Sequence, residues 1–282
     1  MSTSRADLFS SLVILPTANA LGHLMPAVGA SWATTGALVW DYPILILLFS
    51  VHTLLDSFDK YRDIPSEKKP STIITLIWAG TLMLSISGSS YVSGFSSAIR
   101  IVWFLCLEIF WAVPLIPLYS RRRGFYLVKL RQLFGPLKSA FCGVMAGLMD
   151  ADPASHHACI ILTADCGAGP QRVQALAYSI LYNFLRESFY DARDIEEDKQ
   201  DHVSTMATFL GMPNTIALLL AGAVAGEAWI SGAITLEGNT RAVGVVGLSS
   251  WIVATQTREK RLAWVFFSLV SLLPAWHAQA HL

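Results

Sequence analysis

The chain has 282 residues, 54% hydrophobic and only 14% charged, and its 20 basic and 20 acidic side chains cancel to a formal net charge of zero. A soluble domain carries about a quarter charged residues, so this composition excludes an ordinary water-soluble globule and points to lipid as the solvent. Zero net charge also implies no bulk attraction to nucleic acid.

A span of the hydrocarbon core needs about 20 apolar residues. On that basis the chain reads as nine candidate helices, at 8–32, 38–58, 71–93, 98–119, 135–150, 172–192, 206–228, 240–256 and 261–277. The first begins like a short signal peptide, with Arg5, the apolar run from Leu8 to Pro16, and Ala18-Asn19-Ala20. Apolar character continues through Leu21, Leu24, Met25, Ala27, Val28 and Trp32, so this segment is expected to stay as a span. The fifth and eighth candidates are short and interrupted. No sustained strand alternation appears, and only helices or closed barrels satisfy their backbone in lipid. The predicted fold class is therefore all-α: a polytopic membrane bundle of about nine helices, with residues 1–282 as one membrane-embedded domain.

Of the 20 Lys and Arg, only Arg100, Arg172 and Arg241 fall on the connections after the third, fifth and seventh spans. The rest lie at the N-terminus, on the other connections or at adjoining helix ends. By the positive-inside rule this predicts a cytoplasmic N-terminus and an external C-terminus. Cys106, Cys142, Cys159 and Cys166 show no CxxC pair. They read as small apolar helix residues, with Cys159 and Cys166 able to pair in an oxidising loop.

Most acidic residues sit on the basic side. The second span ends in Asp56-Ser57-Phe58-Asp59-Lys60-Tyr61-Arg62-Asp63 and the sixth in Asp191-Ala192-Arg193-Asp194-Ile195-Glu196-Glu197-Asp198. Both read DxxDxxxD, 135 residues apart. Positions i, i+3 and i+7 share a helix face. Three aligned carboxylates repel one another unless a cation neutralises them, and hard oxygen ligands select Mg2+, held with help from substrate phosphates. Two such clusters would hold a diphosphate and stabilise it as a leaving group, with an allylic carbocation left in an apolar pocket. Solvated, salt-bridged helix ends are the plainer alternative.

At this point the chain resembles the UbiA superfamily of intramembrane prenyltransferases. Its first signature is NDxxDxxxD followed by a basic loop; here Leu55-Asp56-xx-Asp59-xxx-Asp63 is followed by Lys68-Lys69-Pro70. Its second is DxxDxxxD followed by a Thr-containing loop and Leu-Gly; here Asp191-xx-Asp194-xxx-Asp198 leads to Val203-Ser204-Thr205 and Leu210-Gly211. Tyr119-Ser120-Arg121 and Gly135-Pro136-Leu137-Lys138-Ser139 look like the family's basic loop and the Lys that opens its fifth helix. The resemblance implies two four-helix halves plus one helix around a central cavity capped on the cytoplasmic side. It also implies metal held by Asp56, Asp59, Asp63, Asp191, Asp194 and Asp198. Leu55 departs from the pattern, because it stands where an Asn amide oxygen helps to hold metal, and Asp56 or His52 would have to take over.

Lys68, Lys69, Arg121, Arg122, Arg123, Lys138 and Lys199 are candidates to bind diphosphate, although positive-inside anchoring explains the Arg triplet equally simply. Asn183 and Glu187 precede Asp191 at steps of four and extend the acidic face deeper into the sixth span. Ionisable groups inside a membrane are costly and functional by default, which makes Glu187, mid-span Glu108 and His52 pocket candidates, with Asn183 on the same face as Glu187 a fourth. Packing or an interhelical hydrogen bond is the alternative for each. The many aromatics are packing or interface residues, a few of them facing a prenyl chain where rings stabilise carbocations.

Three functions compete. In the first, an acceptor such as a phenol attacks the allylic cation. In the second, the substrate's own double bonds capture it, as in UbiA-type terpene cyclases. The third is an ion transporter, whose acidic residues belong near the bilayer midplane between broken helices; here they cluster at span ends.

Overall fold

The computed structural model describes residues 9–66, 69–120, 124–163, 170–200 and 203–255, together with Val270 and Leu273. These contain eight long helices: α1 (Leu15–Thr35), α2 (Tyr42–Asp63), α3 (Thr72–Ser93), α4 (Phe95–Ala112), α5 (Lys138–Ile161), α6 (Pro170–Arg193), α7 (Met212–Ser231) and α8 (Leu236–Thr255). The expected ninth span lies outside the described residues except for Val270 and Leu273, which pack into the core of the second half.

Among the described residues, four helical segments are long and apolar enough to cross a membrane: Ser10–Thr35, Tyr42–Arg62, Thr72–Ser93 and Met212–Ser231. Along α3 the side chains of Ile73, Leu76, Ile77 and Leu84 face outward, Leu84 at 75% exposure. An apolar surface of this extent is stable only against lipid, and the protein is an integral membrane protein. Of the other long helices, α5 and α6 carry more polar side chains, and many of these turn inward to partners.

Two spans differ most from the sequence expectation, and the seventh, expected from 206, is broken at Gly211 so that its long helix starts at Met212. The fourth span does not run to 119: α4 ends at Ala112, and Ile116–Ser120 pairs antiparallel with Gly124–Val128 in a hairpin, Ile116 opposite Val128. Pro114 and Pro117 bar helix continuation there, since each lacks an N–H and restricts the residue before it. The fifth span runs from Lys138 to Ile161 rather than from 135 to 150. Its polar stretch stays helical because Asp150 and Asp152 both find partners, the latter receiving Arg100 Nη1 at 2.6 Å and Arg172 Nη2 at 2.5 Å. Arg241 in turn reaches Glu227 at 2.9 Å. All three arginines of the sparsely basic side are thus neutralised by acidic neighbours.

Two cores divide the bundle. Ala27, Val28, Ile44, Leu47, Leu48, Val51, Ile86 and Ile101 form the first, from α1 to α4. Tyr178, Tyr182, Leu185, Phe189, Leu219, Ala223 and Val246 form the second, from α6 to α8. The seam between them is α5 against α6, with α1 packed on both. Gly143 and Gly147, one turn apart on α5, make the seam close: a Cβ at Gly143 would stand 2.4 Å from Phe184 Cα, and one at Gly147 2.6 Å from Ile180 Cα. Cys159 is disulfide-bonded; Cys166 lies outside the described residues.

Candidate active site

The first acidic motif closes α2. Asp56 Oδ2 accepts from Asn19 Nδ2 of α1 at 2.5 Å, and Asp59 Oδ1 from Arg62 Nη2 on its own helix at 2.7 Å. Asp63 is the last residue of α2; its side chain lies outside the described set. Leu55 is partly buried against the first core. His52, one turn before Asp56, points its Nε2 at Asp150 Oδ1 of α5, 2.7 Å away.

The second motif crosses the end of α6. Helix geometry changes at Asp194 and resumes over Ile195–Gln200, but Asp194 N still donates to Tyr190 O at 3.1 Å and Asp198 N to Asp194 O at 2.9 Å. The i, i+3, i+7 spacing is therefore kept in space. Buried Asp191 is held from α5, by Lys138 Nζ at 2.5 Å and Ser139 Oγ at 2.7 Å. Asp198 lies within electrostatic range of the same lysine. Asp194 receives a two-pronged contact from Arg193, Nε at 2.9 Å and Nη2 at 2.5 Å.

The remaining candidates separate. Lys138 joins the second motif. Lys69 stacks over the Tyr61 ring, 4.7 Å from its centre, beside the end of α2. Lys199 pairs with Glu196 at 2.9 Å on the open surface. Asn183 Nδ2 donates back to Ser179 O at 2.9 Å, while its buried Oδ1 has no partner among the described residues. Glu187 takes both Nε and Nη2 of Arg186, at 3.3 and 3.1 Å. Lys68 and Arg121 to Arg123 lie outside the described residues, as does the side chain of Glu108, which sits in α4.

The sequence reading omitted four residues that the fold gathers here: Asn19, His23, Asp150 and Arg186. Asp150 is fully buried and receives His23 as well as His52, each at 2.7 Å. Arg186 of α6 lies within electrostatic range of Asp56, His23 and Asp150, and so connects the first motif to the helix carrying the second. The signal for Asp150 and Arg186 was available, because both are ionisable groups inside predicted or extended spans. Asn19 and His23 gain meaning only from their neighbours on α2.

Asn19 brings an amide to Asp56, whereas Leu55 is occupied in packing. If this site holds a divalent ion, Leu55→Asn is expected to lose apolar contact, ~1–2 kcal/mol, without lowering the ion concentration for half-maximal activity. Asn19→Ala should raise that concentration. A lower requirement in Leu55→Asn would show that this side chain can reach the ion after all.

A family model for VviA prenyltransferase matches residues 6–282. Curated protein sequences return no match. Among solved structures, a UbiA homologue from Archaeoglobus fulgidus bound to Cd2+ superposes with a TM-score of 0.60 at 13% identity, covering 97% of this chain and 98% of that one. A structure of digeranylgeranylglyceryl phosphate synthase gives a TM-score of 0.49 at 13% identity, covering 97% and 96%. At 13% identity, the likeness to the Archaeoglobus homologue speaks for a shared UbiA fold alone.

Proposed function

Because this chain belongs to the VviA prenyltransferase family, we infer that it is a membrane-embedded, Mg2+-dependent enzyme that ionises an isoprenyl diphosphate and transfers the prenyl group to a small acceptor, an aromatic one in the simplest case. The observation that carries this reading is the pairing of each acidic motif with a neighbouring helix. Asp56 is tied to the start of α1 and Asp191 to the start of α5, so each of these carboxylates is held by a neighbouring helix rather than hanging in solvent.

Asp56, Asp59, Asp63, Asp191, Asp194 and Asp198 offer only oxygen, the donor set of a hard divalent ion. The Archaeoglobus homologue was solved with a divalent ion. When bound, Mg2+ supplies charge neutralisation for the departing diphosphate. Lys138 is placed to lend a fixed positive charge to the same leaving group. Lys68, Lys69, Arg121 and Lys199 are further candidates for holding it from the loops. The hydrocarbon tail would lie deeper in the membrane interior, shielded from water that would otherwise quench the cation. With the N-terminus cytoplasmic, the site opens toward the cytoplasmic face.

The test is incubation of purified protein with Mg2+ and a panel of prenyl diphosphates, with and without small phenols. Prenylated phenol and released diphosphate are expected, both lost on chelation. Cyclic hydrocarbon or terpene alcohol formed without any acceptor would instead indicate intramolecular capture. Absence of diphosphate release from every substrate would overturn the prenyl-diphosphate reading.

A further inference from the structure

One turn below the first motif, the mechanism above leaves a buried group without a task. Asn19 and His23 are four residues apart on α1, and Asp56 and His52 are four apart on α2, so each pair lies on one helix face. The upper rung is Asn19 to Asp56; the lower is His23 against His52, with Asp150 of α5 closing it. The lower rung lies about 6 Å further into the bilayer, four residues at about 1.5 Å each. That is below the level proposed for the diphosphate, where the reacting carbons of its prenyl group would sit.

Nδ1 of His23, Nε2 of His52 and a carboxylate oxygen of Asp150 come within 4.8 Å of one another, a set that can hold a metal. The ring geometry argues against that use. The imidazoles are stacked face to face, 3.7 Å between centres and 16° between planes, so their in-plane lone pairs run nearly parallel. Ligands of one ion at about 2.0–2.1 Å must converge on it. Parallel rings suit two N–H groups donated to the two oxygens of one carboxylate, and those are the contacts present.

Donation through those nitrogens leaves His23 Nε2 and His52 Nδ1 as lone-pair acceptors, with no hydrogen-bond partner among the described residues. Asp150 accepts from both rings, and its carboxylate supplies the counter-charge an imidazolium would need. We propose that the His23–Asp150–His52 cluster is the proton acceptor of the transfer reaction, an assignment that rests on the prenyl-diphosphate reading.

In that step the allylic C–O bond breaks and its electron pair leaves with the diphosphate. An electron pair of the acceptor forms the new bond to the cation. The acceptor's C–H or O–H bond then breaks, its electrons remain in the product, and the proton passes to an imidazole nitrogen. No oxidant or reductant is involved.

Asn mimics the Nδ1–H of histidine and Gln the Nε2–H, so His23→Asn and His52→Gln keep the bonds to Asp150 while removing one basic nitrogen each. With a prenyl diphosphate, Mg2+ and a phenol, diphosphate release should persist in both variants. Prenylated phenol per diphosphate should fall ~10²-fold in at least one of them, with prenyl alcohol from water capture in its place. Unchanged product per diphosphate in both variants would overturn the proposal and leave the cluster as scaffold. Should both variants aggregate, wild-type protein treated with diethyl pyrocarbonate decides. A prenyl thiodiphosphate should protect His23 or His52 from acylation, and equal acylation with and without it would overturn the proposal. If wild-type protein releases no diphosphate, the parent reading fails instead.

Discussion

Asp59→Ala and Asp194→Ala are each expected to cut turnover by ~10²–10³-fold, the loss that follows removal of one group stabilising developing charge, while the protein elutes from detergent like wild type. Asp59 pairs with Arg62 on its own helix and Asp194 with the adjacent Arg193; both pairs are partly open, at 36% and 23% side-chain exposure for the first and 26% and 19% for the second. Ion pairs in that setting contribute ~0–1 kcal/mol, so folding should survive their loss. Asp191 is the instructive contrast. Its carboxylate holds Lys138 and Ser139 across the α5–α6 seam, and Asp191→Ala strands a largely buried ammonium, a class of change that costs ~3–5 kcal/mol. Inactivity of that variant would confound chemistry with stability. The measurement is initial rate against Mg2+ concentration, with size-exclusion profiles alongside; wild-type rates in Asp59→Ala or Asp194→Ala would refute a site built from both motifs.

The second large effect concerns stability. At Gly143 and Gly147 an added Cβ meets the backbone of Phe184 and Ile180 at 2.4 and 2.6 Å, far inside van der Waals contact. Backbone atoms cannot swing aside as a flexible side chain can, so alanine at either position must push α5 and α6 apart. Small residues one turn apart are what allow two membrane helices to approach this closely. Overpacking costs ~1–3 kcal/mol and sometimes more, and here it would also pull Lys138 away from Asp191 on the same seam. Gly80→Ala in α3 is the control: its Cβ meets nothing within 4 Å, and alanine is favoured over glycine in a helix by about 1 kcal/mol. Thermal unfolding in detergent should place Gly143→Ala and Gly147→Ala well below wild type and Gly80→Ala at or slightly above it. Equal midpoints for the three would show that the seam is looser than its geometry implies.

The sequence was most informative where a property belongs to one segment. Apolar length located six of the eight long helices within several residues, since burial in lipid rewards hydrophobicity summed along a span. The error at 113–119 came from counting apolar residues while Pro114 and Pro117, both visible, forbade the helix. The opposite error shortened α5, because Asp150, Asp152 and Pro153 read as an interruption. A buried carboxylate is tolerated once paired, and its partners lie 98 to 127 residues away, at His52 and His23.

The amino-acid sequence by itself determined the helical membrane architecture and the two DxxDxxxD spacings, because helix periodicity and hydropathy are local and survive any arrangement of the bundle. Tertiary structure alone decided which polar groups meet. It gave Asp56 to Asn19, Asp191 to Lys138 and Ser139, and Asp150 to two stacked histidines, and it turned Leu55 into the first core. Those choices depend on which helices are neighbours and how each is rotated. In the low dielectric of the bundle, each buried polar group must find a partner on whichever helix packing has brought beside it.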